Sequence, residues 1–124
     1  MTDVVTLQLP RERDFFGVAH LVLGGLGARL DLTYDVLEDV TTALDELLER
    51  HEHTDDVTVS VRIEGGVLSA TVGPFGDKVA DELTASDEGL GLKRVLETMV
   101  DDVNVTARDG AHWVELRKAT GAGG

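Results

Sequence analysis

Two alternating runs, Val57-Val59-Val61-Ile63 and Val67-Ser69-Thr71, stand on either side of Glu64-Gly65-Gly66, and no other stretch constrains the fold as strongly. A period of two gathers the valines on one face of a strand, and the glycine pair suits a tight hairpin turn. A hairpin that is apolar on one face needs an apolar cover. Upstream, from Thr33 to about His51, Val36, Leu37, Val40, Ala43, Leu44, Leu47 and Leu48 recur at helical spacing with acids opposite, which predicts an amphipathic helix of the right kind.

The remaining elements follow the same logic. Val5, Leu7 and Leu9 alternate with Val4, Thr6 and Gln8 in a strand that stops at Pro10, a residue with no N–H to donate and a welcome helix starter. Phe15, Val18, Ala19, Val22, Leu23 and Leu26 predict a first helix, whose end Gly24, Gly25 and Gly27 either loosen or fit closely against a neighbour. Residues 73–88 lack a firm period and contain Gly73, Pro74 and Gly76, so they read as a loop of functional length. A helix over about 90–101 and a second hairpin, 102–108 and 111–117 across Asp109-Gly110, complete the chain before a small-residue tail, 119–124. The order β, α, α, β, β, loop, α, β, β predicts an α+β fold: one domain over 1–118, with helices on one face of a mostly antiparallel sheet.

Composition narrows the function. With 24 acids against 11 bases the formal charge is -13, which repels a nucleic-acid backbone and an anionic leaflet at long range. There is no cysteine for a disulfide or a zinc-thiolate site, and the first residues show neither a basic start nor a long apolar run. The expectation is a cytoplasmic protein that works with other proteins or small molecules. His51 and His53 lie on different helix faces, and His20 and His112 have no ligand partner at a recognisable spacing, so no metal site is expected.

The chemistry concentrates around Glu88-Gly89-Leu90-Gly91-Leu92, where a glycine pair opens a helix. Uncovered N–H groups at a helix start favour an anion such as a polyphosphate, and Lys93 and Arg94 follow at once. The same glycines also serve as a plain flexible entry that lets helix and strand pack closely. Phe75 reads either as a cover for a nucleotide or as a cover for the core, and Trp113 reads as core.

Gly89-Leu90-Gly91-Leu92, followed by Leu96-Glu-Thr-Met-Val-Asp-Asp-Val103, is similar to the second glycine box of the Bergerat-fold ATPase domains. Leu37-Glu-Asp-Val-Thr-Thr-Ala-Leu-Asp-Glu46 resembles the helix that carries their catalytic glutamate. Within that group the chain looks like the anti-sigma-factor serine kinases, over about Leu7 to Lys118. The resemblance implies ATP and Mg²⁺ as cofactors, Glu46 as general base, and Gly76, Gly89, Leu90, Gly91 and Leu92 as nucleotide-binding positions. It also implies a sigma factor or an anti-sigma-factor antagonist as partner, with homodimerisation as a plausible state.

Two positions depart from the family pattern. Arg50 stands where the family keeps an asparagine that ligates Mg²⁺; arginine has no acceptor, and its charge at about 4 Å would oppose the ion by up to about 8 kcal/mol at an effective dielectric near 20. Pro74, in Val72-Gly73-Pro74-Phe75-Gly76, falls where the family places an aspartate that accepts from adenine, and Asp77 comes after Gly76 instead of before it. Arg50 also stands four residues after Glu46, so the two suit a solvated helix pair worth only about 0.3–0.5 kcal/mol. The reading that follows is an anti-sigma-factor-like regulator with a degenerate ATP site. An active protein serine kinase and a non-catalytic scaffolding domain are the alternatives.

Overall fold

A computed structural model describes residues 4–10, 13–29, 32–49, 56–84 and 91–120, apart from the side chains of residues 13–15 and 84. Five strands form one sheet in the order β1-β2-β3-β5-β4: β1 (Val4–Leu9), β2 (Val57–Glu64), β3 (Val67–Phe75), β4 (Asp102–Arg108) and β5 (Ala111–Ala119). All four pairings are antiparallel, and both expected hairpins form, the first across Gly65 and Gly66 at φ 60 and 77. The helices are α1 (Arg13–Arg29), α2 (Tyr34–Leu48), α3 (Asp77–Thr84) and α4 (Leu92–Glu97).

Helix α2 forms where its apolar stripe predicts. Thr33 caps it by accepting the N–H of Val36 at 3.3 Å, and Asp35 sits in the first turn, where negative charge suits the macrodipole. Val40, Ala43, Leu44, Leu47 and Leu48 are buried against Leu68, Ala70, Val72, Val114 and Leu116 of the central strands. Each leucine or valine so buried contributes about 1.5–3 kcal/mol. The opposite sheet face carries Thr6, Thr58, Ser60, Arg62, Thr71, Trp113 and Glu115, as the alternation requires.

Helix α1 runs unbroken through its glycines. Gly27 lies so near Leu37 that an added Cβ would stand 3.0 Å from Leu37 Cδ2, so close packing against α2 is the outcome of the two expected for this end. The helix buries Phe16, Ala19 and Leu23, while Val18, grouped with the apolar repeat by its spacing, faces solvent.

Residues 73–88 are not a continuous loop. Strand β3 runs to Phe75, and α3 begins at Asp77 because Val79, Ala80 and Leu83 recur at helical spacing and bury one face. Pro74 is accommodated by a bulge: β3 advances from Val72 to Phe75 while β5 moves only from Val114 to His112. The Gly73–Pro74 peptide is cis.

Helix α4 is shorter than the expected 90–101. The Thr98 and Met99 N–H groups reach back three residues, to the carbonyls of Val95 and Leu96 at 3.2 and 2.9 Å, which tightens the last turn and stops the helix. Strand β5 continues past 117 because Lys118 and Ala119 pair with Leu68 and Val67. Thr120 is 2% exposed and bonded to the Gly66 carbonyl, so Ala119 and Thr120 are ordered parts of the domain and not the start of a tail. Residues 121–124 lie outside the described residues.

Candidate nucleotide site

Glu46 lies in the second half of α2, half-buried at the margin of the apolar stripe. Successive helical residues turn by about 100°, so Asp45 and Glu46 fall on opposite flanks of that stripe. The Asp45 flank faces α1, where His20 Nε2 stands 2.6 Å from Asp45 Oδ1. The Glu46 flank also carries Asp39, two turns earlier. Asp39 Oδ2 is 3.0 Å from Lys118 Nζ on β5, and the same ammonium donates to the Met99 carbonyl at 2.8 Å, just past α4. One lysine therefore ties α2 to β5 and to the turn that ends α4. Sequence reasoning missed this clamp, because nothing local marks Lys118 as the partner of Asp39.

Gly76 links β3 to α3, and its carbonyl receives the Ala80 N–H at 3.4 Å. Gly91 is the N-cap of α4 with φ -62 and ψ 159; it offers no side-chain cap, and its carbonyl accepts the Val95 N–H at 3.1 Å. Helix α4 packs against both α2 and α3, so Glu46, Gly76 and Gly91 belong to one cluster of elements. Leu92 is 3% exposed and takes part in the core, leaving its backbone as the part able to face a ligand. Gly89, Leu90 and Arg50, like His51 and His53, lie outside the described residues.

Pro74 brings a ring and no N–H to the position the family gives to a carboxylate. Asp77, the next acid in the chain, has its side chain 91% exposed and its Oδ1 2.8 Å from His112 Nε2. The α4 macrodipole is that of a helix of 6 residues, less than two turns of aligned peptides. Backbone N–H groups open α4 and the Glu46 carboxylate stands on α2, while position 74 carries a proline with no acceptor side chain. Phe75 is 2% exposed and covers the core, the second of its two readings. Trp113 is not core: it lies half-buried on the open sheet face, with the Arg108 guanidinium 5.1 Å from its ring centroid. Among the described residues no group of three or more acidic or histidine side chains could hold a metal ion, and no helix is long and apolar enough to cross a membrane.

No family model matches the chain. It is 28% identical to the serine-protein kinase RsbW of Bacillus velezensis, across 87% of this chain and 81% of that protein, and 28% identical to that of Bacillus subtilis over the same shares. Its identity to the serine-protein kinase RsbW of Listeria innocua is 27%, across 89% of this chain and 83% of that protein. Among solved structures, it is similar to a chain comprising the RsbU and RsbW domains of Rv1364c from Mycobacterium tuberculosis, with a TM-score of 0.71 and 17% identity. That match covers 94% of this chain and 32% of the solved one, and bears on fold alone. The expected α+β architecture is borne out, and this chain is similar to the RsbW serine-protein kinases over most of its length and shares the Bergerat-type fold of an RsbW domain.

Proposed function

We propose that the chain is a cytoplasmic anti-sigma-factor-like regulator that acts by binding a sigma factor or an anti-sigma-factor antagonist, around an ATP site that has lost part of its chemistry. The observation that carries this reading is Pro74, set into a bulge of β3 where a kinase of this kind needs an acceptor for adenine. Arg50 adds a fixed positive charge where a metal ligand would be needed. What persists is the scaffold: the clamped helix α2, the glycine at the α4 cap and a strongly acidic surface suited to a basic partner. Titration calorimetry with Mg-ATP tests it. The expected affinity is weaker than about 0.1 mM, roughly 5.5 kcal/mol. Micromolar affinity would overturn the degenerate-site reading.

A second reading is favoured by the relatives, which are named serine-protein kinases. In it Glu46 takes the proton from a serine hydroxyl of the antagonist, and Glu49 or water replaces the missing metal ligand. Transfer of radiolabelled phosphate to an antagonist serine, abolished in Glu46→Gln, would establish it over the first.

A further inference from the structure

The face of the sheet turned away from the helices holds an open groove of about 420 Å³, within the size range of ligand sites. Strand register sets its residues in rows two residues apart, a spacing of about 6.8 Å. The first row runs from Val4 through Arg62 to Ser69, the second from Thr6 through Ser60 and Thr71 to Glu115, and the third from Thr58 through Gly73 to Trp113. The floor is therefore made of hydroxyls. Ser69 is 6% exposed, and Thr6 and Ser60 bond to each other at 3.2 Å. Hydroxyls donate and accept alike, so they suit a polar ligand and not an apolar one.

Charge in the groove runs against the charge of the molecule. In a chain of net charge -13 its lining carries two arginines, Arg62 and Arg108, against Glu115 alone. Just beyond it Asp102 faces Arg117 in register and Asp56 receives the Gln8 amide, so neither acid alters that balance. Among the described residues no carboxylate pairs with either groove arginine, whereas Lys118 on the other face is paired with Asp39. Arg108 is also held in place. Its guanidinium stands 5.1 Å from the centroid of Trp113, and that ring is seated on Gly73, so the donor fork is kept over the third row while Arg62 occupies the first.

We infer that this groove binds an extended acidic peptide segment of a partner protein, one with two acids four residues apart and a basic residue midway between them. An extended chain laid along β3 repeats every two residues at the spacing of the rows, so its residues i, i+2 and i+4 meet the three rows in turn. The first acid meets Arg62, the middle residue meets Glu115, and the second acid, about 14 Å from the first, meets Arg108 above Trp113. The hydroxyls of the floor take up the peptide groups between them. Such a segment has a single net negative charge, so the acidic field of the rest of the chain opposes it only weakly. The groove lies on the face opposite α2 and α4, and it stands or falls independently of the nucleotide site.

Titration of the isotope-labelled full chain with the capped peptide acetyl-Asp-Gly-Lys-Gly-Asp-amide, followed by NMR, tests this. The expected result is a dissociation constant below about 1 mM, with the largest shifts at Ser60, Thr71 and the Trp113 indole. Arg62→Ala and Arg108→Ala should each weaken binding at least about tenfold while circular dichroism stays unchanged. Arg29→Ala, at the end of α1, serves as the control and should bind as the parent does. A peptide with its acids only two residues apart reaches one arginine at a time and should bind at least about tenfold more weakly. No shifts at millimolar peptide, equal binding of the charge-reversed Lys-Gly-Asp-Gly-Lys, or indifference to both arginine variants would each overturn the site. Binding of suberate, a free dicarboxylate, as tight as that of the peptide would assign the groove to a small dianion instead. Open-face amides that become protected in the ligand-free chain as its concentration rises would show the groove covered by a second copy, and would overturn it too.

Discussion

The indole of Trp113 lies on the backbone of Gly73, so near that a Cβ at 73 would stand 2.6 Å from Trp113 Cδ2 and 2.8 Å from Cε3. Only a residue without a side chain fits under that ring. Gly73→Ala must push the indole off the sheet or move β3 next to its bulge, and a loss of about 1–3 kcal/mol is expected in urea unfolding. Arg108→Ala removes only an exposed guanidinium from above the same ring and should cost no more than about 1 kcal/mol. If the two variants unfold at the same midpoint, the close approach of ring and backbone does not hold.

The Lys118 clamp makes a separate prediction. Lys118→Met keeps the aliphatic stem but removes the ion pair with Asp39 and the hydrogen bond to the Met99 carbonyl. A loss of about 1.5–3 kcal/mol is expected, typical of a hydrogen bond to a charged group that is mostly shielded from water. A double-mutant cycle with Asp39→Asn should return a clear coupling energy, and strict additivity would show that the two side chains act independently.

Restoring the family residues should restore part of the nucleotide site. Arg50→Asn combined with Pro74→Asp is expected to give measurable metal-dependent ATP binding, and Arg50→Asn alone less, because adenine would still lack its acceptor. Both variants should keep the circular dichroism of the parent. No gain in either, with the fold intact, would place the obstruction elsewhere in the pocket.

Association with a basic partner should slow as salt rises, because the chain carries a formal net charge of -13. Asp81 is exposed on α3, Glu82 is half-buried beside it, and Asp87 and Glu88 follow in sequence outside the described residues. Changing all four to their amides should slow association several-fold with little effect on dissociation, as read by surface plasmon resonance. An unchanged rate would remove this segment from the binding surface.

The elements legible in the sequence were those whose pattern is long enough to exclude alternatives. The apolar stripe of α2 and the valine alternation of β2 each specify one face, and the structure buries those faces. Helix α3 was hidden because its 8 residues follow Pro74 and Gly76, two chain-breaking signals, although a bulge absorbs the proline and the helix starts only after the glycine. Trp113 was misplaced because size and aromaticity argue for burial, whereas strand parity at 113, opposite to Val114 and Leu116, puts it on the open face. At the site, Glu46 and the two departures were visible as residue types. The Asp39–Lys118 contact was not, since it depends on α2 crossing β5, which no local period encodes.

Thr120 ties the end of the described chain to the first hairpin, donating both its N–H and its hydroxyl to the Gly66 carbonyl at 2.9 and 3.1 Å. That turn is where β3 begins, and Gly76 follows the residue where β3 ends, eight steps and about 26 Å farther along an extended strand. A fluorophore or affinity handle joined after Thr120 would therefore emerge at the pole of the sheet remote from Gly76, the residue proposed to face nucleotide.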